Sequence, residues 1–274
     1  GSNPKGVPGA AGTIVPTPRL GLPEVYLADG PAGLRLISKR EGGDKRYYNT
    51  AFPIGSLLAS TWNTELVKNV GVSIGSEAKS SGVDLVLGPG VNLHRHPLCG
   101  RNFEYYSEDP FLTGHIGAAM INGIESEGIG ASPKHFAVNN QETSRNWNDA
   151  IVSERALREL YLKSFEIIVK ESQPWAIMTS YNKINGTYAA ENKRLLTDIL
   201  RNKWGFEGLV MTDWYGGRNS TNIIKSGNDL IEPGTKNDWE NLKKSALDGS
   251  LPLLNIDESV KRILTLVLKS QKMK

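Results

Sequence analysis

Short apolar runs that end abruptly in polar residues recur along this chain, with amphipathic segments between them. The clearest run is 208–214, which reads Gly-Leu-Val-Met-Thr-Asp-Trp and predicts a buried β-strand with a carboxylate at its end. An amphipathic segment at 192–204 precedes it, and the glycine-containing stretch 215–217 follows as a loop. Strands that alternate with helices at this spacing indicate parallel β/α units.

About seven strand candidates can be counted, among them 130–136 and 229–232, and helices are predicted at 63–82, 109–128, 153–171, 192–204 and 256–270. Asn63 is the expected cap of the first of these helices, and Asp109-Pro110 starts the second, with Pro110 at its first position. In a chain of 274 residues, this pattern predicts an α/β protein of the (β/α)8-type TIM barrel class, incomplete or distorted at its N-terminal end. Residues 1–22, rich in glycine and proline, are expected to form an irregular N-terminal arm, and 23–274 the barrel. An open doubly wound sheet is the alternative, although 88–90 lacks the spacing of a dinucleotide-binding turn.

Composition limits the classes of function. The formal net charge is +3 and the basic residues are scattered, so neither nucleic acid nor a membrane is an expected partner. Cys99 is the only cysteine and the four histidines lack ligand spacing, so no metal and no cofactor are expected. The sequence shows no signal peptide, which favours a cytoplasmic location, although Gly1-Ser2 resembles a cloning remnant that replaced the natural N-terminus.

Polar side chains stand where the predicted strands end, and in a barrel such residues meet at one mouth. They are Asp29, Asn92, Lys134, His135, Tyr181, Asp213 and Glu232, joined by Arg101, Glu104 and Glu108 from the long loop 91–109. Each residue alone is more often a helix cap or half of a salt bridge. Together, charges of both signs beside Trp214 and Tyr181 suit a polyhydroxylated ligand, whose hydroxyls need donors and acceptors and whose C–H face packs on aromatic rings.

The run 199–214, ILRNKWGFEGLVMTDW, resembles the signature of glycoside hydrolase family 3. Further segments are similar to the family: DGPAGLR at 29–35, GRNFE at 100–104, KHF at 134–136, NQE at 140–142 with Arg145, and MTSYN at 178–182. The resemblance extends from about Gly9 to the last predicted helix. It implies the N-terminal barrel domain of a β-glucosidase from this family.

The resemblance also implies a retaining mechanism, with Asp213 as the nucleophile that forms a covalent glycosyl-enzyme intermediate. The substrate would be a β-glucoside or a gluco-oligosaccharide. The implied substrate-binding residues are Asp29 for the outer hydroxyls, Arg101, Lys134 and His135 for the other hydroxyls, Arg145, Met178, Tyr181 and Trp214. Family xylosidases usually carry a glutamate-containing motif where 29–31 stands, so glucose is favoured over xylose.

The sequence departs from the family pattern in one respect, the acid that protonates the leaving group. A retaining mechanism requires a second carboxyl group for this step. In two-domain members of the family it comes from an α/β-sandwich domain after the barrel, whereas this sequence stops at Lys274. The single-domain branch uses a histidine loop that 137–140 does not match. The resemblance therefore implies that the C-terminal sandwich domain of the family is missing from this sequence. That domain would be the partner of the barrel, either in cis in a longer parent or in trans. Glu104, Glu108 and Glu142 are better interpreted as partners of arginines and of the loop.

Two other interpretations stay open. The chain could be an excised or engineered sugar-binding barrel without turnover, which a substrate with an activated leaving group would distinguish. Lys134 could instead form a Schiff base, as in an aldolase, which borohydride trapping would reveal.

Overall fold

The computed structural model of the chain describes residues 6–39 and 46–273. The strands are β1 Gly12–Ile14, β2 Val25–Asp29, β3 Leu85–Leu87, β4 Gly130–Ala131, β5 Lys134–Phe136, β6 Asp149–Ala150, β7 Ala176–Thr179, β8 Lys183–Ile184, β9 Thr187–Tyr188 and β10 Leu209–Met211. The α-helices are α1 Gly55–Ala59, α2 Thr64–Ser81, α3 Pro110–Ser126, α4 Glu154–Ala156, α5 Lys163–Ser172, α6 Ser220–Lys225, α7 Lys236–Leu247 and α8 Leu253–Lys269. Two π-helices span Leu157–Tyr161 and Arg194–Lys203, and 3-10 helices span Pro18–Leu20, Ala189–Glu191 and Gln271–Met273.

The strands form mixed sheets, so the protein is of the α/β class. One sheet has the order β1-β2-β3-β4, in which β1 runs antiparallel to β2 and the other pairs are parallel. A second sheet has the order β10-β7-β5 and is parallel throughout. A parallel bridge between Gly90 and Lys134 joins the two sheets. The short strands β6, β8 and β9 form a third sheet beside them.

The long strands are buried on both faces. Successive side chains of a strand point to opposite sides, and two apolar clusters result. Val25, Leu27, Leu85, Leu87, Met178 and Met211 belong to one cluster, whereas Tyr26, Val86, Ile177 and Val210 pack with helix side chains in the other. This double burial explains why the strands read as continuous apolar runs rather than alternating ones.

Helix ends follow the predicted capping residues. The side chain of Asn63 accepts a hydrogen bond from the Leu66 amide at the start of α2, and Gly82 ends that helix with a left-handed backbone. Asp109 caps α3 in the same way, with Pro110 at its first position. The helices predicted at 63–82 and 109–128 are thereby confirmed, and the one predicted at 153–171 is present with a π-helical turn at Leu157–Tyr161.

Three sequence predictions differ from the structure. The single strand expected at 130–136 is two strands, β4 and β5, in different sheets. The strand expected at 229–232 makes one isolated bridge, between Leu230 and Met211, because the Asp229 carboxylate itself accepts the Val210 amide. The arm expected to be irregular over 1–22 contributes β1, while residues 1–5 lie outside the described part of the chain. Among the described helices, none has the length and apolar character needed to cross a bilayer.

Candidate active site

A cavity of about 710 Å³ opens at the ends of the parallel strands. It is lined by the nucleophile and the substrate-binding residues that the family resemblance implied: Asp29, Arg101, Lys134, His135, Arg145, Met178, Tyr181, Asp213 and Trp214. Asn92 and Glu232, also expected at this mouth, are buried and are not among the residues that line the cavity. Asp29 is the last residue of β2, Lys134 and His135 belong to β5, Met178 belongs to β7, and Asp213 follows β10. Parallel strands thus deliver these side chains to one edge, as the sequence pattern indicated.

Asp213 is buried in the wall of this cavity. Its Oδ1 accepts a hydrogen bond from the Trp214 amide at 2.7 Å, and its Oδ2 lies 3.6 Å from His135 Nε2. Burial raises the pKa of the Asp213 carboxyl, while Lys134, the Tyr181 hydroxyl and the Trp214 amide act to lower it. These three groups stabilise the ionised form that a nucleophilic carboxylate requires.

Asp29 and Lys134 form an ion pair on the cavity wall. The Lys134 Nζ lies 2.6 Å from Asp29 Oδ1, and Arg35 Nη1 lies 3.1 Å from Asp29 Oδ2. Burial acts to raise the pKa of Asp29, but Lys134, then Arg35 and Arg101, outweigh it, so the pKa is lowered. An ionised acceptor and a cationic donor are therefore fixed side by side, which suits neighbouring sugar hydroxyls.

The two arginines are held by glutamates. Arg101 Nε donates to Glu104, and Arg145 Nη1 donates to Glu142 Oε2 at 2.9 Å. The Arg145 guanidinium also lies 4.5 Å from the centre of the Tyr181 ring. Glu108 is exposed and is not among the residues that line the cavity. The contacts of Glu104 and Glu142 agree with their interpretation as partners of the arginines.

His135 is fixed through both its backbone and its ring. Asn92 accepts the His135 amide at 2.8 Å and donates to the His135 carbonyl at 2.9 Å. The ring Nδ1 lies 3.2 Å from the Tyr105 hydroxyl, which also lies 2.9 Å from Asn139 Nδ2. Burial, followed by the charges of Arg101, Lys134 and Arg145, lowers the pKa of His135 well below its usual value. The imidazole is therefore neutral at neutral pH.

Sequence reasoning missed several residues at this site. Arg35 and Phe103 line the cavity and lie inside motif segments quoted above, so those segments carried the signal. Tyr105 contacts His135, Asn139 contacts Tyr105 and Glu142, and no local pattern marks either residue. No group of three His, Cys, Asp or Glu side chains within 6–39 and 46–273 could hold a metal ion. The cavity thus offers carboxylates, cations and aromatic rings for a sugar.

A comparison with protein families decides the affiliation of the chain. Residues 25–266 match the family described as Glycosyl hydrolase family 3 N terminal domain. The chain belongs to glycosyl hydrolase family 3. The resemblance inferred from the sequence motifs is thereby confirmed.

Relatives and solved structures within family 3 are similar over most of this chain. Beta-glucosidase A of Butyrivibrio fibrisolvens is 51% identical over 213 residues, which are 78% of this chain and 25% of that protein. An exo-alpha-(1->6)-L-arabinopyranosidase of Bifidobacterium longum is 43% identical over 255 residues, 92% of this chain and 34% of that protein. The structure of beta-glucosidase 3B from Thermotoga neapolitana in complex with alpha-D-glucose has a TM-score of 0.95 at 50% identity, covering 96% of this chain and 38% of that one. The chain therefore spans a minor part of the length of these relatives.

Proposed function

We propose that this chain is the nucleophile-bearing domain of a retaining β-glucosidase. The observation that carries the proposal is the convergence of Asp213, the Asp29–Lys134 pair and two arginines on one cavity. The names of the family 3 relatives support a glucosidase, because most of those reported with high identity are β-glucosidases. The terminal β-glucosyl unit of a glucoside or gluco-oligosaccharide is the proposed substrate.

In the proposed reaction, an Asp213 oxygen attacks the anomeric carbon while the bond from that carbon to the leaving oxygen breaks. The leaving oxygen takes a proton, and the sugar becomes an ester of Asp213. Water then attacks the same carbon, loses a proton to the group that gave the first one, and frees Asp213. Hydrogen bonds that the sugar hydroxyls donate to carboxylates such as Asp29 strengthen as positive charge develops on the sugar ring and those hydroxyls become more acidic.

The proton donor is proposed to come from a separate C-terminal α/β-sandwich domain. Four carboxyl side chains line the cavity: Asp29, Glu104, Glu142 and Asp213. Asp29, Glu104 and Glu142 are each engaged by a cation, as described above, so none of them is free to serve the leaving oxygen. A group outside the lining of this cavity is therefore needed, and the chain alone is expected to hydrolyse unactivated glucosides poorly.

We also propose that the strands close into a (β/α)8-type barrel with 23–274 as its domain, distorted at β1. The strand order from β2 through β3, β5 and β7 to β10 continues to Leu230. At the other end, a Cβ at Gly12 in β1 would lie 3.0 Å from the Trp214 ring and 3.2 Å from the Glu232 carboxylate. This close approach of β1 to the segment after β10 supports closure.

Chemical rescue tests the role of Asp213. We expect Asp213→Ala to lose turnover of 2,4-dinitrophenyl β-D-glucoside, whose leaving group needs little protonation. Azide should restore turnover in the variant and release the α-glucosyl azide, because azide replaces the missing nucleophile from the same face. Turnover by Asp213→Ala equal to that of the wild type without azide would overturn the assignment.

The alternative of a Schiff-base enzyme is less well supported. A lysine must be neutral to attack a carbonyl, and Lys134 lies in an ion pair with Asp29 at 2.6 Å. Failure of borohydride to trap a carbonyl compound on Lys134 is the expected result.

A further inference from the structure

His135 lies between two groups, Tyr105 and Asp213, that together decide which ring nitrogen carries its hydrogen. It is 1% exposed, with Nδ1 3.2 Å from the Tyr105 hydroxyl and Nε2 3.6 Å from Asp213 Oδ2. A neutral imidazole carries one hydrogen, either on Nδ1 or on Nε2. The position of that hydrogen decides whether the ring offers Asp213 a donor or a lone pair.

Glu142 determines how the Asn139 amide is oriented. The carboxylate of Glu142 accepts from Arg145 through Oε2 and lies 3.0 Å from Asn139 Nδ2 through Oε1. A reversed amide would place its oxygen against this carboxylate oxygen, and two acceptors repel. The amide nitrogen therefore faces Glu142, and its second hydrogen points to the Tyr105 hydroxyl at 2.9 Å.

The orientation of the Asn139 amide in turn determines that the Tyr105 hydroxyl hydrogen points to His135. Its hydroxyl oxygen accepts from Asn139, and the remaining acceptor within hydrogen-bond distance among the described residues is His135 Nδ1. Tyr105 is 0% exposed, so a hydroxyl hydrogen without an acceptor there would be unfavourable. A hydrogen on Nδ1 would leave the hydroxyl hydrogen of Tyr105 without an acceptor. It would also turn the Nε2 lone pair toward the Asp213 carboxylate. Both effects favour the hydrogen on Nε2.

We propose that Tyr105, oriented by Asn139, is a positioning residue that keeps His135 in the Nε2–H tautomer and directs this N–H at Asp213. The tautomer itself follows from the contacts, whereas its value for catalysis rests on the proposed function of Asp213. A neutral donor stabilises the Asp213 carboxylate without adding a cation that would bind it tightly. Once Asp213 is esterified, the same N–H becomes available to the bound sugar.

Nitrogen-15 NMR of the full chain labelled at histidine tests the tautomer directly. The His135 resonances are identified by comparison with His135→Gln. Between pH 6 and 8 we expect Nε2 to show the shift and coupling of a protonated nitrogen and Nδ1 those of an unprotonated one. A protonated Nδ1, alone or together with Nε2, would overturn the inference without any measurement of activity.

Two tyrosine variants separate positioning from packing. Tyr105→Phe removes the hydroxyl that contacts His135, so we expect a mixture of tautomers. The rate at which 2,4-dinitrophenyl 2-deoxy-2-fluoro-β-D-glucoside labels Asp213 covalently, the trapping rate, should fall by on the order of tenfold. Tyr106→Phe is the matched control, because the Tyr106 hydroxyl is also buried and has no hydrogen-bond partner among the described residues. It should leave the tautomer and the trapping rate unchanged.

Failure of the positioning role and failure of the proposed function give different results. The same tautomer and trapping rate in Tyr105→Phe and the wild type would contradict a positioning role. If the wild type is not trapped at Asp213 at all, the proposed function fails while the tautomer measurement still stands. If Tyr105→Phe does not fold, the wild-type spectrum alone decides.

Discussion

Asp29 is the residue at which sugar specificity can be tested. Its carboxylate faces the cavity beside Lys134, and we assign it to the 4- and 6-hydroxyls of glucose. Asp29→Ala should weaken glucose binding more than xylose binding, because xylose lacks the carbon that bears the 6-hydroxyl. The difference should be roughly 1–3 kcal/mol, the usual effect of losing a buried hydrogen-bond partner.

Calorimetry with both sugars measures this effect, and the ratio of their dissociation constants serves as an internal control. Loss of the Asp29 partner of Lys134 affects the binding of both sugars, whereas the ratio of their dissociation constants reports on the 6-hydroxyl. Equal losses would contradict the assignment. That result would favour a sugar that lacks the 6-hydroxyl.

Glu232 is a buried carboxyl group that the mechanism does not use. It is 1% exposed, both of its oxygens lack hydrogen-bond partners in the described part of the chain, and burial raises its pKa from 4.5 to about 7. Below pH 4.5 the group is neutral in both folded and unfolded protein. Between pH 4.5 and 7 the unfolded chain ionises while the folded protein does not, so folding becomes less favourable as the pH rises.

Glu232→Gln should therefore stabilise the protein at alkaline pH. A shift of this size corresponds to roughly 3 kcal/mol in the free energy of unfolding at pH 8, and to almost nothing at pH 4. Urea unfolding at the two pH values measures the difference, with the exposed Glu240→Gln as a control that should change little at either. An equal effect of Glu232→Gln at both pH values would show that folding does not raise the pKa of Glu232.

At the scale of elements, Arg218 joins two loops that carry cavity residues. Its Nη1 donates to the Gly217 carbonyl at 2.8 Å within the loop after Asp213, and its Nη2 donates to the Asn146 carbonyl at 3.0 Å in the loop that carries Arg145. The guanidinium also lies 4.4 Å from the centre of the Trp147 ring. Tyr215 has a left-handed backbone with φ of 62°, an uncommon conformation that neighbouring contacts must hold.

Arg218→Gln should loosen both loops together. We expect faster amide hydrogen exchange in 144–148 and in 215–219, with the core strands unchanged. Arg155→Gln is the control, since Arg155 is exposed and pairs with Glu159 within one helical segment. Faster exchange in only one loop, or in neither, would show that Arg218 does not connect them.

Elements differed in how far they could be predicted from sequence. The starts of α2 and α3 were predictable, because the Asn63 and Asp109 side chains accept hydrogen bonds from amides of their own helix and Pro110 occupies the first helical position. The division of 130–136 into β4 and β5 was not, since it depends on which neighbouring strand each half meets. Strands of two residues such as β6, β8 and β9 are too short to show a period.

At the scale of the molecule, the convergence of these residues on one cavity could be predicted because family 3 motifs stand at strand ends and parallel strands bring those ends together. The hydrogen-bond chain from Glu142 through Asn139 and Tyr105 to His135 could not be predicted. It depends on the side-chain orientations of residues in separate loops, for which the sequence contains no local signal.

The absence of a free acid among the cavity carboxylates predicts a strong dependence on the leaving group. General acid assistance contributes about 10²–10⁴-fold, so the chain should hydrolyse dinitrophenyl β-D-glucoside far better than cellobiose. Addition of a C-terminal domain from a family 3 relative should raise only the cellobiose rate. Robust cellobiose turnover by the chain alone, abolished by Glu104→Gln or Glu142→Gln, would place the acid in this cavity.

The central claim is that Asp213 forms a covalent bond with the sugar. Its most direct test is incubation with 2,4-dinitrophenyl 2-deoxy-2-fluoro-β-D-glucoside, followed by mass spectrometry of the intact chain and of its peptides. We expect one added fluoroglucosyl group, located on the peptide that contains Asp213 and absent from Asp213→Asn. An adduct on another residue, or equal labelling of Asp213→Asn, would contradict it.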